Sequence, residues 1–184
     1  MHYKKLEGNK IYLSPITIDD IDKYLKWMND KRITDNLNST YKLINELGEK
    51  NWINRSLENN DYNFGIIDKE NDELIGNCGI MDINLVHGKA TLGIFIGEEN
   101  KRGNGIGKEV LNLLLDYGFN QLRLHNIDLA VFDFNKQAIA CYKGVGFKEY
   151  GRRRESYFVN GKWHDEILME FLEDDYRNSR LKNI

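Results

Sequence analysis

Proline is almost missing from this chain: Pro15 stands alone among 184 residues. No Gly/Ser-rich stretch, repeat or low-complexity block interrupts it either. Nothing therefore marks a linker, and one domain spanning residues 1–184 is the expectation. Cysteine is scarce. Cys78 and Cys141 could close one bridge at most, which excludes a disulfide framework. No run approaches the ~18–20 apolar residues that a membrane-spanning helix needs. Residues 1–7 have no long apolar stretch behind them, so no secretory signal is expected and a cytoplasmic setting is. Charge of one sign is also lacking. The 26 basic and 29 acidic residues leave a net charge of −3, which calls for neither nucleic acid nor an anionic membrane. His and Cys show no metal-ligand spacing, so no metal is expected.

What is present falls into two rhythms. Residues 10–16 read as a strand. Ile21, Tyr24, Leu25 and Met28 then follow at helical spacing, after the helix-start signal Thr17-Ile18-Asp19-Asp20. The stretch 31–42 is polar and irregular. Residues 43–58 look helical, with Leu43, Leu47, Trp52, Ile53 and Leu57 on a loose stripe. Beyond residue 60 strands dominate: 62–68, 74–83 and 90–97. A helix over 105–121, a strand at 127–132 and a helix over 136–145 follow. A closing hairpin, 147–159 with 163–172, turns at Asn160-Gly161, a dipeptide suited to positive φ. This order predicts a mixed α/β domain, one central sheet flanked by helices. Trp27, Trp52 and Trp163 are expected in the core or a pocket wall. The run Arg152-Arg153-Arg154 is expected at a solvated strand end.

The most informative segment runs Ile94-Phe95-Ile96-Gly97-Glu98-Glu99-Asn100-Lys101-Arg102-Gly103-Asn104-Gly105-Ile106-Gly107-Lys108. It leads from a strand through a glycine-rich loop into a helix. A helix N-terminus offers unpaired N–H groups and a partial positive charge. Glycines remove side chains that would keep a phosphate from those groups, and Arg102 and Lys108 add full charge, so the loop suits a pyrophosphate. A Walker loop would need Ser or Thr after Lys108, where Glu109 stands. A dinucleotide fingerprint needs Gly-x-Gly-x-x-Gly, and Gly103-Asn104-Gly105-Ile106-Gly107 is one residue short.

The fitting pattern is Arg/Gln-x-x-Gly-x-Gly/Ala, matched by residues 102–107. Downstream, Asn135, Ala138, Tyr142, Gly146 and Phe147 match Asn-x-x-Ala-x-x-x-Tyr-x-x-x-Gly-Phe. Locally, Asn135 is a good N-cap and Gly146 a good helix stop. The two motifs in this order resemble the GNAT superfamily of acetyl-coenzyme A-dependent N-acetyltransferases. The likeness is strongest over residues 60–172 and nearest the branch of ribosomal-protein alanine and spermidine acetyltransferases.

The resemblance implies a cofactor-binding core over 61–172, acceptor-side helices over 1–60, and a splay between the fourth and fifth strands. It implies that Ile94, Phe95 and Ile96 contact the pantetheine arm. Arg102, Gly103, Asn104, Gly105, Gly107 and Lys108 would hold the pyrophosphate, and Asn135 would contact the pantetheine amide region. Amine acetylation then needs a base for the amine, a donor for the oxyanion near Phe95–Ile96, and an acid for the leaving thiolate. Tyr142 occupies the family's acid position; without the motif it would be a packed helix aromatic. Relatives carry a glutamate base where Thr91 stands, which leaves Asp82, His87 or a water chain for that task. Between Thr17 and Asp61, nine acids face seven bases, a near-balance that does not choose the acceptor amine. A homo-oligomer is open. The competing readings are a coenzyme A-binding sensor without useful catalysis and a nucleotide-binding regulator.

Overall fold

The computed structural model describes residues 1–59 and 62–181; Asp61, counted above, lies outside them. The elements are β1 (Leu6–Glu7), β2 (Ile11–Pro15), α1 (Ile21–Met28), α2 (Lys31–Thr34), α3 (Glu46–Glu58), β3 (Tyr62–Asp68), β4 (Leu74–Asn84) and β5 (Lys89–Ile96). There follow α4 (Ile106–Asp116), β6 (Asn126–Phe132), α5 (Lys136–Val145), β7 (Lys148–Val159), β8 (Lys162–Leu172) and α6 (Glu173–Leu181). The strands form one mixed sheet in the order β1-β2-β3-β4-β5-β6-β8-β7. No helix among the described residues is long and apolar enough to cross a membrane.

The chain divides into two compact units. The first holds residues 1–79 and 94–113, the second residues 80–93 and those from 114 onward. In the first, β2 pairs antiparallel with β3 from Ile11↔Asp68 to Pro15↔Phe64. α1 turns Tyr24 and Trp27 inward beside Ile53 of α3. Tyr24 packs edge-on against both Trp27 and Trp52, at 5.8 and 5.6 Å. Such contacts add about 0.5–1.5 kcal/mol each beyond the area they bury. Asn45 caps α3 by accepting from the Gly48 N–H at 2.8 Å.

In the second unit β6 and β8 pair antiparallel from Asn126↔Leu172 to Phe132↔Glu166. The parallel ladder between β5 and β6, the expected fourth and fifth strands, has only three rungs, ending at Thr91↔Asp128. That short ladder is what the expected splay requires. The β7–β8 hairpin turns through Asn160 and Gly161, both at positive φ (50° and 78°). Its basic run faces β8 acids across the ladder, Arg152 on Asp165 at 3.1 Å and Arg153 on Glu166. These pairs are exposed, and such pairs contribute about 0–1 kcal/mol.

Several expectations change. Leu43 is 99% exposed and precedes α3, whose buried face is Glu49, Ile53 and Ser56 rather than the leucine stripe. Trp163 is exposed against Phe158 instead of lining a core. α2 lies in the stretch read as irregular, and the 105–121 helix ends at Asp116, continuing as a π-turn over Tyr117–Gln121. β1 and α6 carry too little apolar periodicity to have been foreseen.

Candidate active site

The glycine loop comes first. Gly103 and Gly105 hold φ of 79° and 84°, where side-chain-bearing residues are strained, and a Cβ at either would meet nothing within 4 Å. Positive φ is thus required while the space above the loop is open. Lys101 and Arg102 donate backward to Glu98 and Glu99, and the first forward helical bond is Glu109 N–H to Gly105 O at 3.1 Å. Between them, the N–H groups of Gly103 through Lys108 have no acceptor among the described residues. A run of bare amides at the start of α4 suits an anion, and their unmet bonds fit a diphosphate.

The loop is braced from β2. Lys10 Nζ donates to Asn104 O at 2.8 Å, while Glu109 Oε1 accepts from the Lys10 N–H at 2.9 Å. Arg102 takes a different post from the one expected. Its Nε donates to Ile96 O at 2.9 Å and its Nη2 to Gly97 O at 3.3 Å, which ties the loop to the end of β5. Lys108 is exposed on the first turn of α4.

The three β5 residues divide by strand alternation. Gly97 N–H donates to Ile75 O at 2.9 Å, and Phe95 O lies 2.3 Å from where a Gly76 Cβ would be. Phe95 and Gly97 therefore present their backbone to β4, and Ile94 and Ile96 present theirs to the other edge. Of the amides near Phe95–Ile96 expected to face an oxyanion, only that of Ile96 points away from β4. Phe95 instead sets its ring edge-on to Trp27 at 5.7 Å.

In the second unit, Asn135 caps α5, its Oδ1 accepting from the Ala138 N–H at 3.1 Å. The cap uses only the oxygen and leaves the amide Nδ2 for a ligand. Gly146, at φ 126°, ends the helix. Tyr142, on this helix, is 9% exposed and set against Phe147. Burial, first of all, pushes its phenol well above the usual range, so it stays protonated through neutral pH. Its hydroxyl has no hydrogen-bond partner among the described residues. Asp82 and His87 are exposed on and beyond the end of β4. Asp82 sits at φ 50°, and His87 N–H donates to Asn84 Oδ1 at 3.0 Å. Among the described residues no hydrogen bond orients either side chain.

Two features escaped sequence reasoning. One is Glu49, 7% exposed, whose carboxylate has no partner among the described residues and is held above the usual range by burial. Nothing but a helical position marks it in the sequence. An acid with a raised native pKa stabilises the fold only in its protonated form. That contribution is present below the unfolded pKa and lost as pH rises through the folded one. Glu49→Gln should therefore melt like the parent near pH 4 and progressively higher than the parent toward pH 7, as scanning calorimetry across pH would show. The other is a pair 31 residues apart: His164 Nδ1 lies 3.0 Å from Asp133 Oδ1. No local spacing could signal it.

Comparison with known proteins decides the family. A profile of the acetyltransferase (GNAT) domain matches residues 10–148. The chain belongs to the GNAT acetyltransferase family. Like its family it is an N-acetyltransferase that draws an acetyl group from acetyl-coenzyme A and passes it to an amine. The spermidine N(1)-acetyltransferase of Vibrio cholerae is 33% identical over 138 residues, 75% of this chain and 78% of that protein. The V. cholerae spermidine N-acetyltransferase in complex with CoA and spermine superposes with a TM-score of 0.85 at 27% identity. The match covers 93% of this chain and 100% of that one. A dodecameric structure of the same V. cholerae enzyme, in an intermediate state, gives 0.79 at 27% identity over 94% and 99%. The fold expected from the two motifs is the fold found. The reading as a coenzyme A sensor without catalysis is not favoured.

Proposed function

We propose that this GNAT enzyme acetylates a polyamine-like primary amine, and that the bare amides of residues 103–108 hold its acyl donor. Those amides carry the reading: they have no acceptor among the described residues, and the space beside Gly103 and Gly105 is open. Acetyl-coenzyme A, when bound, supplies the thioester. The chain's own groups do the rest. The Gly103–Lys108 amides and the Lys108 ammonium take the diphosphate charge. Arg102 keeps β5 in place, and the Ile94 and Ile96 main chain pairs with the amides of the arm. Asn135 Nδ2 donates to the same arm. The Ile96 N–H donates to the oxygen on which charge develops. Tyr142, protonated because it is buried, gives its phenolic proton to the departing sulfur. Asp82 and His87, the base candidates of the sequence, are exposed, and among the described residues no hydrogen bond holds either side chain toward a reacting nitrogen.

The polyamine assignment rests on the likeness to spermidine acetyltransferases. A single-domain, cytoplasmic homo-oligomer belongs to the same reading, the assembly supported by the dodecameric relative. The test is an acceptor panel with acetyl-coenzyme A and thiol release as readout: spermidine, spermine, an alanine-terminated peptide and an amino sugar. Spermidine should turn over fastest. Release with the peptide alone would move the enzyme to the protein-acetylating branch.

A further inference from the structure

The last hairpin carries a histidine–carboxylate pair that the two GNAT motifs do not include. His164 is the third residue of β8, and Asp133 is the first residue beyond β6. Asp133 N–H donates to Asp165 O at 3.0 Å, which locks the end of β6 to the start of β8. The imidazole Nδ1 then lies 3.0 Å from Asp133 Oδ1. A carboxylate acceptor at Nδ1 requires that nitrogen to carry the hydrogen. In the neutral ring the other nitrogen, Nε2, keeps its lone pair and has no partner among the described residues. This is the electronic arrangement of an oriented base.

The ring is also walled. Phe134 packs edge-on to His164 at 4.7 Å, and the Phe132 and Tyr157 rings stack at 4.1 Å. Tyr157, the ladder partner of His164, is 6% exposed, and its hydroxyl is buried without a hydrogen-bond partner among the described residues. One rung of the hairpin thus carries two polar groups that no described residue satisfies, the Tyr157 hydroxyl and the outer nitrogen of His164. The position is apt. Asp133 lies two residues before Asn135, the cap of the helix that carries Tyr142.

We propose that His164 is the general base for the acceptor amine and that Asp133 is its positioning residue. The inference rests on the acetyl-transfer reading above. His164 Nε2 takes one proton from the substrate ammonium, directly or through one water. The freed nitrogen pair forms the C–N bond to the acetyl carbon, the carbonyl electrons move to oxygen, and the C–S bond breaks as that oxyanion collapses. The sulfur leaves with the Tyr142 proton, and the phenolate recovers a proton from the new N–H. One proton in all passes to solvent through His164. The other charged groups around the ring are already paired: Asp165 with Arg152 and the Glu155 N–H, and Glu166 with Arg153. Among the described residues Asp133 is the one acid paired with the imidazole.

The test joins a pH–rate profile with a proton map of the ring. In the wild type, kcat/KM for the best amine should fall on the acid side with one histidine-like limb. His164→Gln should lose that limb and drop on the order of 100-fold near pH 7, the low end of general-base effects. Its coenzyme A affinity should be unchanged. Asp133→Asn should move the midpoint of the limb and lower kcat/KM by less. Long-range ¹H–¹⁵N spectra of the wild type should show the hydrogen on Nδ1, a readout that needs no variant to fold. An unaltered profile in His164→Gln, or a neutral ring protonated on Nε2, would overturn the base. A wild type that acetylates no amine would instead sink the acetyl-transfer reading itself.

Discussion

Valine at position 105 should weaken coenzyme A binding on the order of 100-fold by titration calorimetry, with the melting curve little changed. Gly105 sits at φ 84°, which a β-branched residue adopts only under strain, so the loop must swing to a negative φ. The swing turns neighbouring amides away from the anion. Losing two hydrogen bonds to a charged group at about 1.5 kcal/mol each is ~100-fold in Kd. Alanine separates the causes. Nothing lies within 4 Å of the added Cβ, so Gly105→Ala meets no clash and shows only the backbone penalty of about 1–2 kcal/mol. Ala should therefore fall between wild type and Val. Equal affinity in all three proteins would place the diphosphate elsewhere.

Tyr142→Phe should cut kcat on the order of 100-fold and leave coenzyme A affinity within about twofold, at the low end of general-acid effects. The low end is expected because a thiol of pKa ~8.5 leaves tolerably well without help. The phenol has no hydrogen-bond partner among the described residues, and its ring lies against Phe147. Removing the oxygen thus breaks no protein bond, and the variant should melt no lower than the parent. Because burial raises the phenol above its ordinary range, the wild type should show no alkaline loss from this group below about pH 10. Stopped-flow thiol release would separate the chemical step from product release. A variant with full single-turnover rate would remove Tyr142 from the reaction.

The segments that were legible in the sequence are those with local chemistry. α5 runs over Lys136–Val145 as expected, because Asn135 starts it and Gly146 stops it within one short window. The hairpin at Asn160-Gly161 and the phosphate loop are legible for the same reason: positive φ leaves a residue signature. The three-rung ladder beside β5 followed from the family resemblance, not from periodicity. What stayed hidden depends on partners far along the chain. Arg102 reads as a phosphate-facing cation until the carbonyls of Ile96 and Gly97 are seen to receive it. α6 opens with Glu173, Asp174 and Asp175 and buries Tyr176, too thin a stripe to register. The His164–Asp133 pair joins two segments that only β6–β8 pairing brings together.

The central claim is that the main chain at the head of α4 grips the acyl donor. Amide spectra of the ¹⁵N-labelled protein titrated with coenzyme A test it most directly. Gly103, Gly105 and Gly107 should shift downfield and exchange slowly with solvent once the ligand is present. If those three signals stay in place while the coenzyme perturbs some other surface, the account is wrong.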